Sequence, residues 1–302
     1  MKKIATLLAA LMVMTAAFAG CGSADTGSSS AAGTSSTTSE SSVAEDSSAA
    51  SETSEEASTT ETGDYGEFTT IEEGKLIMST NAQFPPYEMV ADGEGFNGTG
   101  FEGIDVEIAS AIAEKLGLEL QIDDMEFDSA LLAVQNNTAD VMLAGLTYNE
   151  ERDEVMDFTT SYATGVQVVI VKEDSDVTMD NLGEKMIGTQ RGTTGYIYAS
   201  DTPENGGYGE DHVQAYDSGA TAVQALVNGQ IDAVIIDQAP AEEFVAANEG
   251  LTTLPGNWVE EQYCAAVDEG NTALLNAIDT ALQELIEDGT VEEIMNKYIS
   301  VE

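Results

Sequence analysis

One pattern occurs twice in the chain and limits the fold more than any other feature. Each copy consists of an aromatic residue, an Asp-Ser pair that can cap a helix, an apolar helix, a tight turn and a strand that begins with Asp. The first copy covers residues 127–147 and the second covers residues 216–238. Helices that alternate with strands in this way predict a parallel sheet with helices on its faces. The two copies therefore predict an α/β protein of two similar lobes with a cleft between them.

Other segments carry the hydrophobic periodicity of strands or helices. Strands are predicted at residues 75–80, 118–122, 166–171 and 186–189, and helices at residues 103–116, 272–288 and 291–298. Gly117 is predicted to end the first of these helices, because glycine readily adopts the left-handed conformation found at helix ends. In the first repeated unit, the helix is predicted to begin with Asp128 as its N-cap.

The N-terminal part of the chain is predicted to direct export and to stay unfolded. A basic start, an apolar run and small residues predict a signal peptide over residues 1–20. The small residues before Cys21 resemble a bacterial lipobox, in which the cysteine is diacylated; the alternative is ordinary cleavage beside a chance cysteine. Residues 21–66 are rich in Ser, Thr and Glu, so they are predicted to form a disordered tether. The chain would then be lipid-anchored at the extracytoplasmic face of the bacterial cell membrane.

The charge of the chain excludes some classes of partner. There are 56 acidic residues against 9 Lys and Arg, and the net charge is −47. This excess of negative charge argues against nucleic-acid binding and against direct adsorption on anionic lipid. Cys264 is the only cysteine besides Cys21, so we expect no disulfide in the folded part and interpret Cys264 as a small strand residue.

A predicted strand at residues 140–143 leads into a candidate binding segment that ends at Arg152. Ligands of open α/β sheets bind beyond the carboxyl ends of strands, which is where Gly145 and Thr147 follow. Arg152 is one of only two arginines, and its planar fork of donors matches a carboxylate. We interpret this segment as a carboxylate clamp. The alternative is that Arg152 pairs with a neighbouring acid, Glu150, Glu151 or Asp153, on a surface turn.

Two further segments carry candidate binding residues. Phe84 and Tyr87 flank two prolines on a stiff loop, and either residue is a stacking wall or part of the edge of the core. Residues 190–194 end in Gly-Thr-Thr at a predicted helix start, where free backbone N–H groups can bind an anion or serve ordinary capping. The only histidine, His212, lies in a Gly-rich loop, and the acidic segment at residues 91–100 lacks EF-hand spacing. No cofactor and no metal site are predicted.

Taken together, these motifs resemble the family 3 solute-binding proteins, the amino-acid receptors of ABC importers. The motifs are Phe84-Pro85-Pro86-Tyr87-Glu88, Gly103-Ile104-Asp105-Val106, Phe127-Asp128, Ala144 through Arg152, Asp157-Phe158-Thr159, Gln190 through Thr194 and Asp232 through Asp237. The resemblance implies a type II periplasmic-binding fold, in which two lobes joined by two crossings close over the ligand. Lobe 1 would comprise residues 67–162 plus 264–302, and lobe 2 residues 163–263.

The resemblance also implies roles for individual residues. Arg152 would hold the α-carboxylate of an amino acid, helped by the Thr147 hydroxyl and by backbone groups near Gly145 and Thr194. Asp237 would take the α-ammonium group, with the Gly145 carbonyl assisting. The remaining positions would contact the rest of the ligand: Phe84 and Phe127 as a sandwich, Gln190 and Ile236 facing its side chain, and Asn81 where several relatives carry Asp or Ser.

The function implied is a lipid-anchored, monomeric receptor that captures an amino acid and delivers it to an ABC permease in the membrane. No enzymatic activity is expected. Two alternatives use the same fold: an enzyme like cyclohexadienyl dehydratase, or a ligand-sensing receptor. The sequence leaves open which amino acid is bound, whether polar, acidic or cystine-like. It also leaves open whether Arg191 contacts an acidic side chain or only offsets the acidic surface.

Overall fold

The structure is a computed structural model and describes residues 65–299. The predicted signal peptide, Cys21 and nearly all of the predicted tether lie outside the described residues. The strands are β1 (Lys75–Thr80), β2 (Gln83–Phe84), β3 (Glu88–Val90), β4 (Phe101–Glu102), β5 (Glu119–Asp124), β6 (Val141–Met142), β7 (Met156–Phe158), β8 (Ala163–Lys172), β9 (Ile187–Gln190), β10 (Val213–Tyr216), β11 (Ala233–Asp237), β12 (Leu251–Thr253), β13 (Val259–Tyr263) and β14 (Ala266–Asp268). The helices are α1 (Ile104–Leu116), α2 (Phe127–Gln135), α3 (Glu150–Asp153), α4 (Thr194–Ser200), α5 (Gly219–Val227), α6 (Gln238–Ala247), α7 (Thr272–Glu287) and α8 (Thr290–Tyr298).

Two separate sheets organise these elements. The first sheet has the order β5-β1-β6-β14-β7, and its strands fall in the ranges predicted for lobe 1. The second has the order β10-β9-β11-β8-β12, with β13 also paired to β8, and its strands fall in the range predicted for lobe 2. In both sheets the repeated helix-strand units form parallel pairs, β5-β1-β6 and β10-β9-β11. In the first sheet β14 pairs antiparallel with β6 and β7, and in the second β8 pairs antiparallel with β11, β12 and β13. The predicted α/β class with two lobes is confirmed.

The chain crosses between the two sheets twice, and the two crossings lie side by side. It leaves the first sheet after β7 and returns from β13 to β14. The Thr159 backbone N–H donates to the Ala265 carbonyl at 3.0 Å, and the Tyr162 N–H donates to the Tyr263 carbonyl at 2.9 Å. The crossings are therefore held together by backbone hydrogen bonds like those of an antiparallel sheet.

Helix ends test the local sequence predictions. Gly117 ends α1 with φ 71°, and its N–H donates to the Ala113 and Glu114 carbonyls, as predicted. Ser218 caps α5, where its hydroxyl accepts from the Thr221 N–H. The predicted start at Asp128 is wrong, because α2 begins at Phe127 and Asp128 lies in its first turn. An acidic residue is favoured both at an N-cap and in the first turn, so the sequence does not distinguish these positions.

The largest buried layer in lobe 1 lies between the sheet and the helices α1 and α7. Fully or almost fully buried aliphatic side chains fill it: Ile104, Ile108 and Ile112 from α1, and Leu274, Ile278 and Leu282 from α7. Burial of each such side chain contributes about 1.5–3 kcal/mol to folding. This layer fixes the sheet whose strand ends face lobe 2. Within residues 65–299, no helix combines the length and the apolar composition needed to cross a membrane.

Candidate functional site

A small cavity lies between the lobes, where strand ends from both sheets meet. Its walls include nine of the ten residues predicted to contact the ligand, all except Ile236: Asn81, Phe84, Phe127, Gly145, Thr147, Arg152, Gln190, Thr194 and Asp237. Three further wall residues were not predicted: Glu88, Ala144 and Thr193. Residues as far apart in the sequence as Asn81 and Asp237 are thus brought to one concave surface. Such interlobe clefts are preferred ligand sites.

Arg152 is fixed in the cavity wall by the short helix α3. Asn149 caps this helix, and its side-chain oxygen accepts from the Arg152 backbone N–H at 2.8 Å. The guanidinium donates to the Thr147 carbonyl in lobe 1 at 2.5 Å and to the Gly192 carbonyl in lobe 2 at 2.9 Å. It also lies 5.6 Å from the centre of the Phe127 ring, within the range of a cation–π contact.

The charge of Arg152 has no ionic partner in the described part of the chain. The side chain is buried, and no acidic oxygen within residues 65–299 approaches it closely enough for an ion pair. The surface-turn alternative, in which Arg152 pairs with a neighbouring acid, is therefore wrong. Burial lowers the pKa of Arg152 to about 10, and the negative charge of Glu261 acts in the opposite direction. A guanidinium has five N–H donors, so Arg152 retains donors for an anionic ligand group.

Asp237 faces the same cavity from the end of β11 in lobe 2. The Tyr263 hydroxyl donates to its Oδ1 atom, and Gln167 Nε2 donates to its Oδ2 atom at 2.9 Å. Burial, and secondly the charge of Glu261, raises the pKa of Asp237 to about 8. A cation that enters the cavity would stabilise the ionised carboxylate, because it offsets both of these effects.

The aromatic residues form an apolar wall on the lobe 1 side. Phe84 stacks on Tyr87, with ring centres 5.7 Å apart. A β-carbon at position 145 would come within 2.7 Å of the Phe84 ring, and Gly145 has a φ of 52°. Glycine is therefore required at position 145 for the ring to approach the backbone. Phe127 lies beneath the Arg152 guanidinium. Both rings line the cavity, while their role as a sandwich around a ligand stays a prediction.

Glu88 is an ionisable wall residue that the site prediction missed. It lies at the start of β3 with no exposed surface, beside the buried carboxyl of Asp105, to which its protonated carboxyl donates a hydrogen bond. Burial, followed by the nearby charge of Asp105, raises its pKa well above the usual range. The sequence did place Glu88 near the predicted site, because this acid directly follows the stiff loop that carries Phe84. Nothing local indicated that this acid would face inward.

Several polar residues of the cavity already have partners in the protein. Gln190 Nε2 donates to Asn81 Oδ1 at 2.8 Å, so these two residues connect the lobes. The Thr147 hydroxyl, expected to assist a ligand carboxylate, donates to Glu261 Oε2 at 3.1 Å. A hydroxyl has one hydrogen, so Thr147 must release Glu261 before it can donate to a ligand.

Two residues discussed from sequence lie away from the cavity. Ile236 is buried but does not line it, and its δ-methyl group lies close to Gly219 of α5. Successive side chains of a strand point to opposite faces, so Ile236 faces away because Asp237 faces the cavity. Arg191 is half exposed, and its Nη2 atom lies 3.7 Å from an Asp217 carboxylate oxygen. This position is consistent with the second of the two predicted roles, in which Arg191 offsets negative charge on the acidic surface.

Comparison with known proteins supports a relationship over the whole described part. The model of the bacterial extracellular solute-binding proteins, family 3, matches residues 76–301. The arginine-binding extracellular protein ArtP of Bacillus subtilis strain 168 is 32% identical over 232 residues, which cover 76% of this chain and 87% of that protein. The L-cystine-binding protein TcyJ of Escherichia coli K12 is 29% identical over 235 residues, which cover 76% and 85%.

A solved structure agrees with the sequence matches. The arginine-, lysine-, histidine-binding protein ArtJ from Geobacillus stearothermophilus superposes with a TM-score of 0.68 at 30% identity. The superposition covers 76% of this chain and 96% of ArtJ. The two-lobed fold and the sequence similarity therefore extend over nearly the same part of the chain.

Proposed function

The chain belongs to the bacterial extracellular solute-binding proteins, family 3, and from that premise we propose that it captures an amino acid between its lobes and delivers it to an ABC transporter permease. Arg152 binds the α-carboxylate and Asp237 binds the α-ammonium group. The observation that carries this proposal is a buried guanidinium from lobe 1 and a buried carboxyl from lobe 2 on one cavity. An α-amino acid presents the two complementary charges.

We further propose that the ligand has a basic side chain, with arginine as the first candidate. The cavity contains a second buried acid, Glu88, which lies beside the buried carboxyl of Asp105. Two adjacent buried carboxyls are costly to ionise unless a cation lies close to them. A guanidinium or ammonium group at the end of the ligand side chain supplies that cation. The names of ArtP and ArtJ point to the same class of ligand.

A lobe-closing motion and a membrane anchor are also part of the proposal. We take residues 67–162 plus 264–302 as lobe 1 and residues 163–263 as lobe 2, with the two paired crossings as the hinge. Lipidation at Cys21 and a monomeric state are proposed from the sequence alone. Mass spectrometry of the membrane-extracted protein, with a Cys21→Ser variant as control, tests the anchor.

We propose that the protein is a receptor without enzymatic activity. A dehydratase would need a positioned general acid, and the carboxyls of Glu88 and Asp237 are the available candidates. No observation favours that use, and His212 lies in lobe 2 outside the cavity wall. Incubation with prephenate and arogenate is expected to give no product, and turnover that depends on Asp237 would contradict the receptor assignment. A sensing role shares the same site, and co-purification with a kinase instead of a permease would favour it.

A thermal-shift panel tests the binding proposal. The panel contains the twenty amino acids, cystine and small dicarboxylates. Ligand at a thousand times its dissociation constant stabilises the folded state by about 4 kcal/mol, which is a rise of about 8–16 °C for a domain of this size. Arginine is expected to give the largest rise. Agmatine lacks the α-carboxylate and N-acetylarginine lacks the α-ammonium group, so both are matched controls that should give little or no shift. No shift with any amino acid would refute the function.

A further inference from the structure

Glu261 is a buried acid that lies behind the cavity wall on β13, the strand that leads to the second crossing. It is 5% exposed and does not line the cavity itself. Its Oε2 atom accepts from the Thr147 hydroxyl at 3.1 Å and from Gln167 Nε2 at 2.9 Å. Its Oε1 atom has no hydrogen-bond partner in the described part of the chain. The residue thus receives one donor from lobe 1 and one from lobe 2.

Gln167 connects Glu261 to Asp237. Gln167 Nε2 donates at 2.9 Å to Glu261 Oε2 and at 2.9 Å to Asp237 Oδ2. An amide nitrogen carries two hydrogens, so each carboxylate receives one of them. The four side chains form one chain of hydrogen bonds, which runs from Thr147 through Glu261 and Gln167 to Asp237. Its two ends are the cavity groups next to the proposed carboxylate and ammonium sites.

The charge of Glu261 acts on both charged groups of the cavity. It raises the pKa of Asp237, second only to burial, and it opposes the lowering of the Arg152 pKa by burial. The charged and titratable groups that face this pair come from several elements: Arg152 of α3, Tyr198 of α4, Tyr263 of β13, Tyr87 of the proline loop and Glu88 of β3. Only Arg152 among these is a cation. Asp237 and Glu261 share the Gln167 donor, and within residues 65–299 Arg152 is the only cation near them. Ionisation of both acids at once therefore costs free energy.

We propose that Glu261 is a positioning residue of the binding site, which orients Thr147 and Gln167 and couples the ionisation of Asp237 to the carboxylate end of the cavity. The inference rests on the amino-acid-binding function proposed above. Glu261 acts through its neighbours and does not touch the ligand. Binding of a ligand carboxylate at Arg152 draws the Thr147 hydroxyl away from Glu261, while a ligand ammonium group requires the ionised form of Asp237. The two ends of the ligand are therefore recognised through one shared network.

Two variants separate the charge of Glu261 from its geometry. Glu261→Gln keeps the size of the side chain and removes the charge, and Glu261→Asp keeps the charge but shortens the side chain by one methylene. Glu260→Gln removes a charge at the adjacent exposed position and is the matched control. Isothermal titration calorimetry of each protein with L-arginine between pH 5 and pH 9 gives the dissociation constant as a function of pH.

The affinity of the wild-type protein is expected to fall as the pH decreases, because protonated Asp237 cannot pair with an ammonium group. In Glu261→Gln this fall should begin at a pH lower by about one unit, because a neighbouring like charge has been removed. In Glu261→Asp the affinity should begin to fall at the same pH as in the wild type, and binding should be about tenfold weaker at every pH. Glu260→Gln should reproduce the wild-type curve. A purely structural role for Glu261 would weaken binding without moving the pH at which affinity falls.

Coincident curves for Glu261→Gln and the wild type would overturn the coupling, and wild-type affinity in Glu261→Asp would overturn the positioning role. If Glu261→Gln does not fold, Gln167→Met takes its place. Loss of the shared donor should then move the fall in affinity to higher pH, and an unchanged pH would overturn the proposal. Absence of arginine or other amino-acid binding to the wild-type protein is a different result, since it refutes the proposed function itself.

Discussion

Lobe 1 and lobe 2 are built from the same kind of helix-strand unit, but they contribute different chemistry to the cavity. Lobe 1 supplies both aromatic rings, the cation Arg152 and the acid Glu88. Lobe 2 supplies the acid Asp237 and polar groups from the β9–α4 segment, without an aromatic ring. The difference indicates an order of events. Under the proposed function, a ligand would find its carboxylate partner and its stacking surface on lobe 1, and lobe 2 would then contribute the ammonium partner when the lobes close.

Removal of the Arg152 guanidinium should remove the carboxylate contact that lobe 1 is proposed to supply. Arg152→Ala is expected to weaken arginine binding by about 2–5 kcal/mol, because one partner of a buried charge pair is lost. Calorimetry measures the change. Arg152→Lys is the matched control, which keeps the charge but not the planar fork, and should lose less. Nearly unchanged affinity in Arg152→Ala would mean that lobe 1 does not hold the carboxylate.

The acid of lobe 2 should matter chiefly for closure. Asp237→Asn keeps the size of the side chain but removes its charge, and a lost charged hydrogen bond predicts a loss of about 1.5–3 kcal/mol. Small-angle X-ray scattering should show that arginine compacts the wild-type protein, while Asp237→Asn stays extended at a concentration that saturates it. Equal compaction of the two proteins would show that the ammonium contact does not drive closure.

Glu88 tests whether lobe 1 also selects the ligand side chain. Citrulline has nearly the shape of arginine without the charge, so it isolates the electrostatic part of the preference. The wild-type protein should prefer arginine, and Glu88→Gln should lose about 1–2 kcal/mol of that preference. Citrulline affinity should change little between the two proteins. An unchanged ratio of arginine to citrulline affinity would remove Glu88 from the ligand site.

The smallest expected effect concerns the apolar wall. Phe84→Ala removes one ring and should weaken binding by about 1 kcal/mol, because stacking is lost while both charge contacts remain. Phe84→Tyr keeps the ring and should bind close to the wild-type level. Calorimetry at constant pH distinguishes the two variants. A loss of affinity in Phe84→Ala as large as that in Arg152→Ala would mean that the Phe84 ring also holds Arg152 in position.

The sequence predicted a large part of this molecule for identifiable reasons. Family membership and the two-lobed fold are confirmed, because the repeated unit and the motif order extend over most of the chain. Strand positions followed from apolar runs, as in β1. The predicted ligand residues except Ile236 line one cavity, because strand ends of a parallel sheet converge at one edge. Their individual contacts with a ligand remain predictions.

The misses have physical causes. Glu261 approaches Thr147 across 114 positions of the sequence, and no local spacing encodes that contact. Glu88 was visible in its motif, but the turn that directs it inward depends on the packing of the loop. The orientation of Ile236 was recoverable, because strand alternation alone excludes two adjacent residues from facing the same cavity. Non-local contacts are thus the part that sequence reasoning did not reach.

The two paired crossings have a mechanical consequence. A single connecting segment would allow the lobes to twist, slide and bend. Two segments held side by side through the Thr159–Ala265 and Tyr162–Tyr263 backbone pairs resist twisting and sliding, because either motion would break these hydrogen bonds. The proposed closing motion, a rotation about an axis across the pair, would leave these hydrogen bonds intact. Under the proposed function, occupancy of the cavity would set one angle between the two lobes, which a permease could recognise without contact with the ligand.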